Sequence, residues 1–180
     1  MNMDIVFAGF GGQGVLTSGL IVAYAAQNEG KEVLWMPAYG GQMRGGKSYS
    51  LVKFDDKQIC HPDIEELDVL VAMNRPSLEE FSKFVKPGGL ILINSDTIGD
   101  EIPFEMEAVR IIRAPFASMA QKVNNPKGAN IAALGTLLKI TGMFSLNSFR
   151  KNLLEYFDSK GKGAYAAINE AALEEGYRYM

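Results

Sequence analysis

Along the first quarter of the chain the hydrophobic positions come in two rhythms. Ile5-Val6-Phe7-Ala8 is an unbroken apolar run ending at a glycine, the pattern of a strand buried on both faces, and Val15 to Gln27 carries Ala, Leu, Ile and Val over a helical length. Glu32 to Met36 reads as a second strand and Pro37 to Gly46 as a glycine-rich loop, after which Ser48 to Phe54 alternates in strand fashion up to the Asp55-Asp56 turn. These pieces predict a β-hairpin inserted in the sheet. Asp68 to Met73 is another buried strand. Pro76 and the capping-box spacing Ser77-x-x-Glu80 then open a short helix that stops at Pro87-Gly88, and Gly89 to Ile93 returns as a strand. Val109 to Ile112 is a further strand. Three helices finish the chain, over Ile131 to Ile140, Asn147 to Phe157 and Ala164 to Tyr177, the first capped by Asn130 and ended by a left-handed Gly142.

Repeated strand–helix order predicts an α/β fold that is Rossmann-like, with a parallel-dominated sheet, helices on both faces and the inserted β-hairpin. The chain has 180 residues, no internal repeat and no linker long enough to divide it, so a single domain over residues 1–180 is expected. Val15 to Ala26 and Ile131 to Ile140 are apolar around much of their circumference. That leaves two readings, a docking surface for partner chains or burial beneath the chain's other helices.

Composition narrows the chemistry. Hydrophobic residues make up 47% and charged residues 22%, which suits a folded core, and the net charge of -3 provides no broad basic surface for nucleic acid or an anionic membrane. The single cysteine can neither close an intramolecular disulfide nor ligate an iron–sulfur cluster or structural zinc by itself. The one histidine, His61, lies beside Cys60 and before Pro62 in a polar turn with no hydrolase signature around it, so the pair reads as structural. The most apolar stretch, Val15 to Ala26, is shorter than a membrane span and is interrupted by Thr17, Ser18 and Gly19. No basic region precedes an apolar core at the N-terminus, and the protein reads as cytoplasmic, with no catalytic residue and no metal site of its own.

Two glycine loops carry the candidate chemistry. Gly9-Phe10-Gly11-Gly12-Gln13-Gly14 contains G-x-G-x-x-G between the first strand and the first helix, where free amides and the positive end of the helix dipole favour a phosphate or carboxylate. A dinucleotide site also wants an acidic side chain at the end of the second strand, but that strand closes on Trp35-Met36-Pro37. Gly41-Gln42-Met43-Arg44-Gly45-Gly46-Lys47-Ser48 matches the phosphate-loop string G-x-x-x-x-G-K-S, yet a strand follows it rather than a helix. A stand-alone dinucleotide-binding dehydrogenase and a phosphate-loop nucleotide hydrolase stay open as alternatives, beside a purely structural role for the glycines.

Taken together, Gly9 to Gly14 and Pro37-Ala38-Tyr39-Gly40-Gly41-Gln42-Met43-Arg44-Gly45-Gly46 resemble the gamma subunit, or gamma domain, of the thiamine-dependent 2-oxoacid:ferredoxin oxidoreductases. The resemblance is strongest from Ile5 to Phe54; Asp68 to Asn74, Pro87-Gly88-Gly89 and Asn130 to Gly135 follow the later pattern more loosely. It implies oxidative decarboxylation of a 2-oxoacid, 2-oxoglutarate by family habit, with coenzyme A to acyl-CoA and carbon dioxide, ferredoxin taking the electrons. It further implies that thiamine diphosphate, Mg and the iron–sulfur clusters sit on alpha and beta subunits and a ferredoxin-like delta subunit. This chain, inactive alone, then helps to form a shared coenzyme A site. Carried over by residue, the first loop supplies Gly9, Gly11, Gly12, Gln13 and Gly14, and the second supplies Met43, Arg44, Gly45 and Gly46. Lys47 and Ser48 are added on their position.

Overall fold

The computed structural model describes residues 2–40, 46–59, 61–99 and 108–180. The chain divides into two compact units, Met1–Ala114 and Pro115–Met180. The first holds β1 (Met3–Phe10), α1 (Val15–Asn28), β2 (Glu32–Tyr39), β3 (Lys47–Asp55), β4 (Leu67–Ala72), α2 (Arg75–Phe81), β5 (Val85–Asn94) and β6 (Arg110–Ala114). These strands form a six-stranded sheet in the order β2-β3-β1-β4-β5-β6. The β1–β4, β4–β5 and β5–β6 pairs are parallel, and β3 alone runs against its two neighbours. The α/β class and the parallel-dominated sheet are as the sequence predicts. The β2–β3 hairpin does sit in the sheet, but β3 is its inner strand and β2 its edge. The residues explain the order: Leu51 and Val52 on β3 are fully buried, whereas Pro37 in β2 lacks an N–H and suits an edge.

Strand alternation assigns the two sheet faces. Ser50 Oγ donates to the Val15 carbonyl at 2.9 Å, so the Ser50 side of β3 faces α1, while the adjacent Tyr49 ring packs 4.9 Å from Phe81 of α2. The two helices therefore cover opposite faces. The α2 side is filled by Val6, Leu51, Leu70, Ile91, Ile93 and Leu78. On the other side α1 comes close because Gly19 has no side chain; a Cβ there would lie 2.2 Å from Ser50 Oγ.

Several local expectations change. The cap of α2 is Asn74, whose Oδ1 accepts from Ser77 N at 3.0 Å; Ser77 lies inside the helix and does not begin a capping box. The helix ends at Phe81, followed by a 3-10 turn over Ser82–Phe84, and Pro87-Gly88 belongs to β5 as an irregularity between the Leu67↔Val85 and Val69↔Leu90 pairs.

The second unit contains α3 (Phe116–Lys122), α4 (Ala129–Thr141), α5 (Leu146–Ser159) and α6 (Ala166–Arg178), one helix more than the three predicted. Asn130 is a buried residue within α4, and Gly128 caps the helix instead, accepting from Ile131 N and Ala132 N at 2.9 Å each. Gly142 does end α4 in the left-handed conformation, φ 61°. The helices α4 and α6 touch through backbone: a Cβ on Gly135 would lie 2.0 Å from the Leu173 carbonyl oxygen, and one on Gly176 1.9 Å from that of Ala132. Thr136 Oγ1 donates to the Gly176 carbonyl at 2.9 Å. Asn130 to Leu138 are all buried, as is most of α1. Burial within the chain thus takes up Asn130 to Leu138 and much of α1, while Leu16, Leu20 and Tyr24 stay partly exposed.

Candidate functional site at the carboxyl edge of β1

The turn from β1 to α1 is shaped by its glycines and by one amide side chain. Gly12 and Gly14 adopt φ 102° and 73°, a region where a side chain strains the backbone. Gly9 is needed for space, since a Cβ would approach Gln13 Oε1 to 2.7 Å and Met73 Cβ to 3.0 Å. Gln13 is the clamp. Its Oε1 accepts from Phe10 N at 2.7 Å and from Asn74 Nδ2 at 2.9 Å, while its Nε2 donates to the Met73 carbonyl at 3.0 Å. The side chain thus ties the first glycine loop to the end of β4 and the cap of α2. It shapes the site without pointing into it.

The helix α1 begins at Val15 with Gly14 as a cap that supplies no side-chain acceptor. Amides of a first helical turn have no partner within the helix, and the dipole adds positive potential there. A cavity of ≈ 350 Å³ opens at this end, lined by Phe10, Gly11, Gly12, Gly14, Val15, Leu16, Thr17, Tyr39, Gly46 and Ser48. Among the described residues that line it there is no acidic or basic side chain, and their polar character comes from backbone and from the hydroxyls of Thr17, Ser48 and Tyr39.

The second loop meets the first directly. Gly11 N donates to the Gly46 carbonyl at 2.9 Å, and the β1–β3 register sets Gly9 opposite Ser48 and Phe10 opposite Lys47. The two loops share an edge because β3 pairs with β1 antiparallel and β2 lies one strand further out. Lys47 Nζ is 2.9 Å from Glu80 Oε2 on α2. Met43, Arg44 and Gly45 lie outside the described residues, as does Cys60; His61 is exposed.

The two alternative functions find little support here. A dinucleotide fold sets its second strand beside the first so that an acid at the strand end reaches the ribose. Here β3 occupies that place and β2 ends in Ala38-Tyr39. The phosphate-loop string leads into a nine-residue strand, not a helix. Among the described residues no group of three or more His, Cys, Asp or Glu side chains converges as a metal site would require, and no helix is long and apolar enough to cross a membrane.

The model of the pyruvate ferredoxin/flavodoxin oxidoreductase family matches residues 4–179. The chain belongs to this family. The ketoisovalerate oxidoreductase subunit VorA of Methanothermobacter thermautotrophicus is 39% identical over 177 residues, covering 97% of this chain and 36% of that relative, so this oxidoreductase-family chain spans about a third of it. Among solved structures, the gamma subunit of a keto/oxoacid ferredoxin oxidoreductase from Geobacter sulfurreducens aligns with TM-score 0.81 and 29% identity, over 98% of this chain and 96% of that one. The 2-oxoglutarate:ferredoxin oxidoreductase of Magnetococcus marinus, solved with 2-oxoglutarate, coenzyme A and succinyl-CoA bound, aligns with TM-score 0.84 and 27% identity, over 99% of this chain and 31% of that one.

Reasoning from motifs alone misses Tyr39 and Thr17. Tyr39 lies within the quoted second-loop segment, and its side chain is the signal: at 65% exposure it is a large hydrophobic residue left in solvent beside the cavity. Thr17 is visible only once α1 is placed.

Proposed function

We propose that this chain is the gamma subunit of a multi-subunit 2-oxoacid:ferredoxin oxidoreductase and that its two glycine loops form one wall of a coenzyme A site completed by other subunits. In the reaction, a 2-oxoacid, with 2-oxoglutarate the first candidate, loses carbon dioxide. Its acyl group passes to the coenzyme A thiol and its electrons pass to ferredoxin. The observation that carries this reading is the Gly11–Gly46 hydrogen bond, which joins the two loops around a cavity faced by the start of α1. Backbone amides and the helix dipole suit a phosphate, and glycine walls let it come close. The family match runs across both compact units, which supports a single gamma-type domain over residues 1–180. Thiamine diphosphate, Mg and the iron–sulfur clusters are assigned to alpha, beta and delta partners in a cytoplasmic complex, with the chain inactive by itself.

Arg44 is the side chain on which the test turns, since arginine binds phosphate through paired charge-assisted hydrogen bonds. In the assembled complex Arg44→Ala should weaken coenzyme A binding by about 1.5–3 kcal/mol, with Arg44→Lys restoring only part of it. Single-turnover decarboxylation should survive, because coenzyme A acts after carbon dioxide leaves. An unchanged coenzyme A requirement in a fully assembled Arg44→Ala complex overturns the assignment. Turnover with 2-oxoglutarate, ketoisovalerate and pyruvate in parallel decides the acid.

A further inference from the structure

A second cavity of ≈ 230 Å³ adjoins the first. Tyr39 and Ser48 line both, and Lys47, Tyr49, Ser77, Glu80 and Phe81 line only the second. Lys47 is the one lining cation among the described residues, and it is already held by Glu80 at 2.9 Å. A carboxylate beside an anion site is a puzzle, because it repels the ligand and neutralises the group that would attract it. Exposure resolves the puzzle. The side chains of Lys47 and Glu80 are 67% and 41% exposed, so water reaches both and the pair is easily parted. Strand alternation also places Lys47 on the α2 side of β3, with Tyr49, while Ser48 lies on the α1 side with Ser50.

We propose that the Lys47–Glu80 ion pair is a displaceable latch, in which a ligand phosphate arriving across Tyr39 takes Lys47 from Glu80, so that Glu80 sets the ligand affinity by competition. This rests on the coenzyme A reading above. Without ligand, the carboxylate satisfies the ammonium and weakens the field that would draw in unrelated anions. With ligand, a phosphate carries more charge and more acceptor oxygens than one carboxylate and replaces it.

The test is the coenzyme A concentration for half-maximal turnover of the assembled complex. Glu80→Gln should lower it roughly two- to fivefold, the range a surface ion pair can withhold. Lys47→Ala should raise it by roughly tenfold, as loss of a hydrogen bond to a charged group does. On the Lys47→Ala background, Glu80→Gln should change nothing, since the two act through one contact. An unchanged or raised requirement in Glu80→Gln overturns the latch, and so does an equal fall in both backgrounds, which would make Glu80 a general field. If Lys47→Ala has no effect while Arg44→Ala does, the latch fails and the coenzyme A wall stands; if neither has an effect, the coenzyme A reading itself fails.

Discussion

Replacing Gln13 isolates the contribution of one side chain to the whole site edge. Gln13→Ala removes the acceptor of Phe10 N and of Asn74 Nδ2 and the donor to the Met73 carbonyl. Met73 O keeps a partner in Thr97 Oγ1 at 2.7 Å, and Asn74 Oδ1 keeps Ser77 N. Two donors are therefore stranded. Each costs about 1 kcal/mol at the lower end of the range for an unsatisfied group, because the bonds are only partly buried and water can enter, which gives about 2 kcal/mol in total. Gln13→Met keeps the volume without the bonds and should cost at least as much, since its side chain bars that water. The assay is urea unfolding of the purified chain, with hydrogen exchange at the Phe10 amide as the local readout. Losses below about 0.5 kcal/mol in both variants, with Phe10 exchange unchanged, would refute the clamp.

Gly135→Ala should destabilise the protein by about 1–3 kcal/mol despite the better helix propensity of alanine, because its Cβ meets the backbone of α6, and thermal unfolding measures this. The hydrogen bond from Lys31 holds the Asp56 carboxyl at about 2, below its ordinary 3.8, so this ion pair's contribution is present above pH ~4 and lost as pH falls through about 2. Carboxyl NMR should give that low midpoint and Lys31→Met should raise it; a wild-type midpoint near 4 would contradict the pairing. Bonding to Asp68 raises the Lys86 ammonium above 10.5, so its contribution holds at lower pH and fades as pH rises through the raised value. Asp68→Asn should flatten alkaline unfolding curves. The purified chain should neither reduce a nicotinamide nor hydrolyse ATP.

Strands were the more legible part of this sequence because each pairs a long apolar run with a polar boundary, as in Ile5-Val6-Phe7-Ala8 before Gly9. The seven-residue α3 escapes because Phe116, Met119 and Ala120 make one apolar stripe too short to display a period, between Pro115 and the Asn124-Asn125-Pro126 turn. The capping of α2 misleads because two signals overlap: Ser77 and Glu80 have the box spacing, while Asn74 has the same spacing to Ser77. Asn74 prevails since Pro76 within the first turn has no N–H to satisfy and the bond to Ser77 N is in reach. In the site, the glycine loops are legible as strings, but Glu80 is not. It reaches Lys47 only because β3 and α2 are neighbours in space, 33 positions apart in sequence.

Strand order also bears on which ligand this edge suits. A dinucleotide pocket needs a carboxylate beside the glycine turn to hold the ribose hydroxyls, and it obtains one from a parallel second strand. Here an antiparallel strand takes that position, so the residues opposite Gly9 and Phe10 are Ser48 and Lys47 at its beginning. The Ser48 hydroxyl, beside the start of α1, offers a donor to a phosphate oxygen, while Lys47 on the other face of β3 offers an ammonium at the same edge. The nearby carboxylate, Glu80, comes from α2 and is engaged with that ammonium. On the proposed reading, the glycine string that serves a dinucleotide beside a parallel strand serves a phosphorylated thiol carrier beside this antiparallel one.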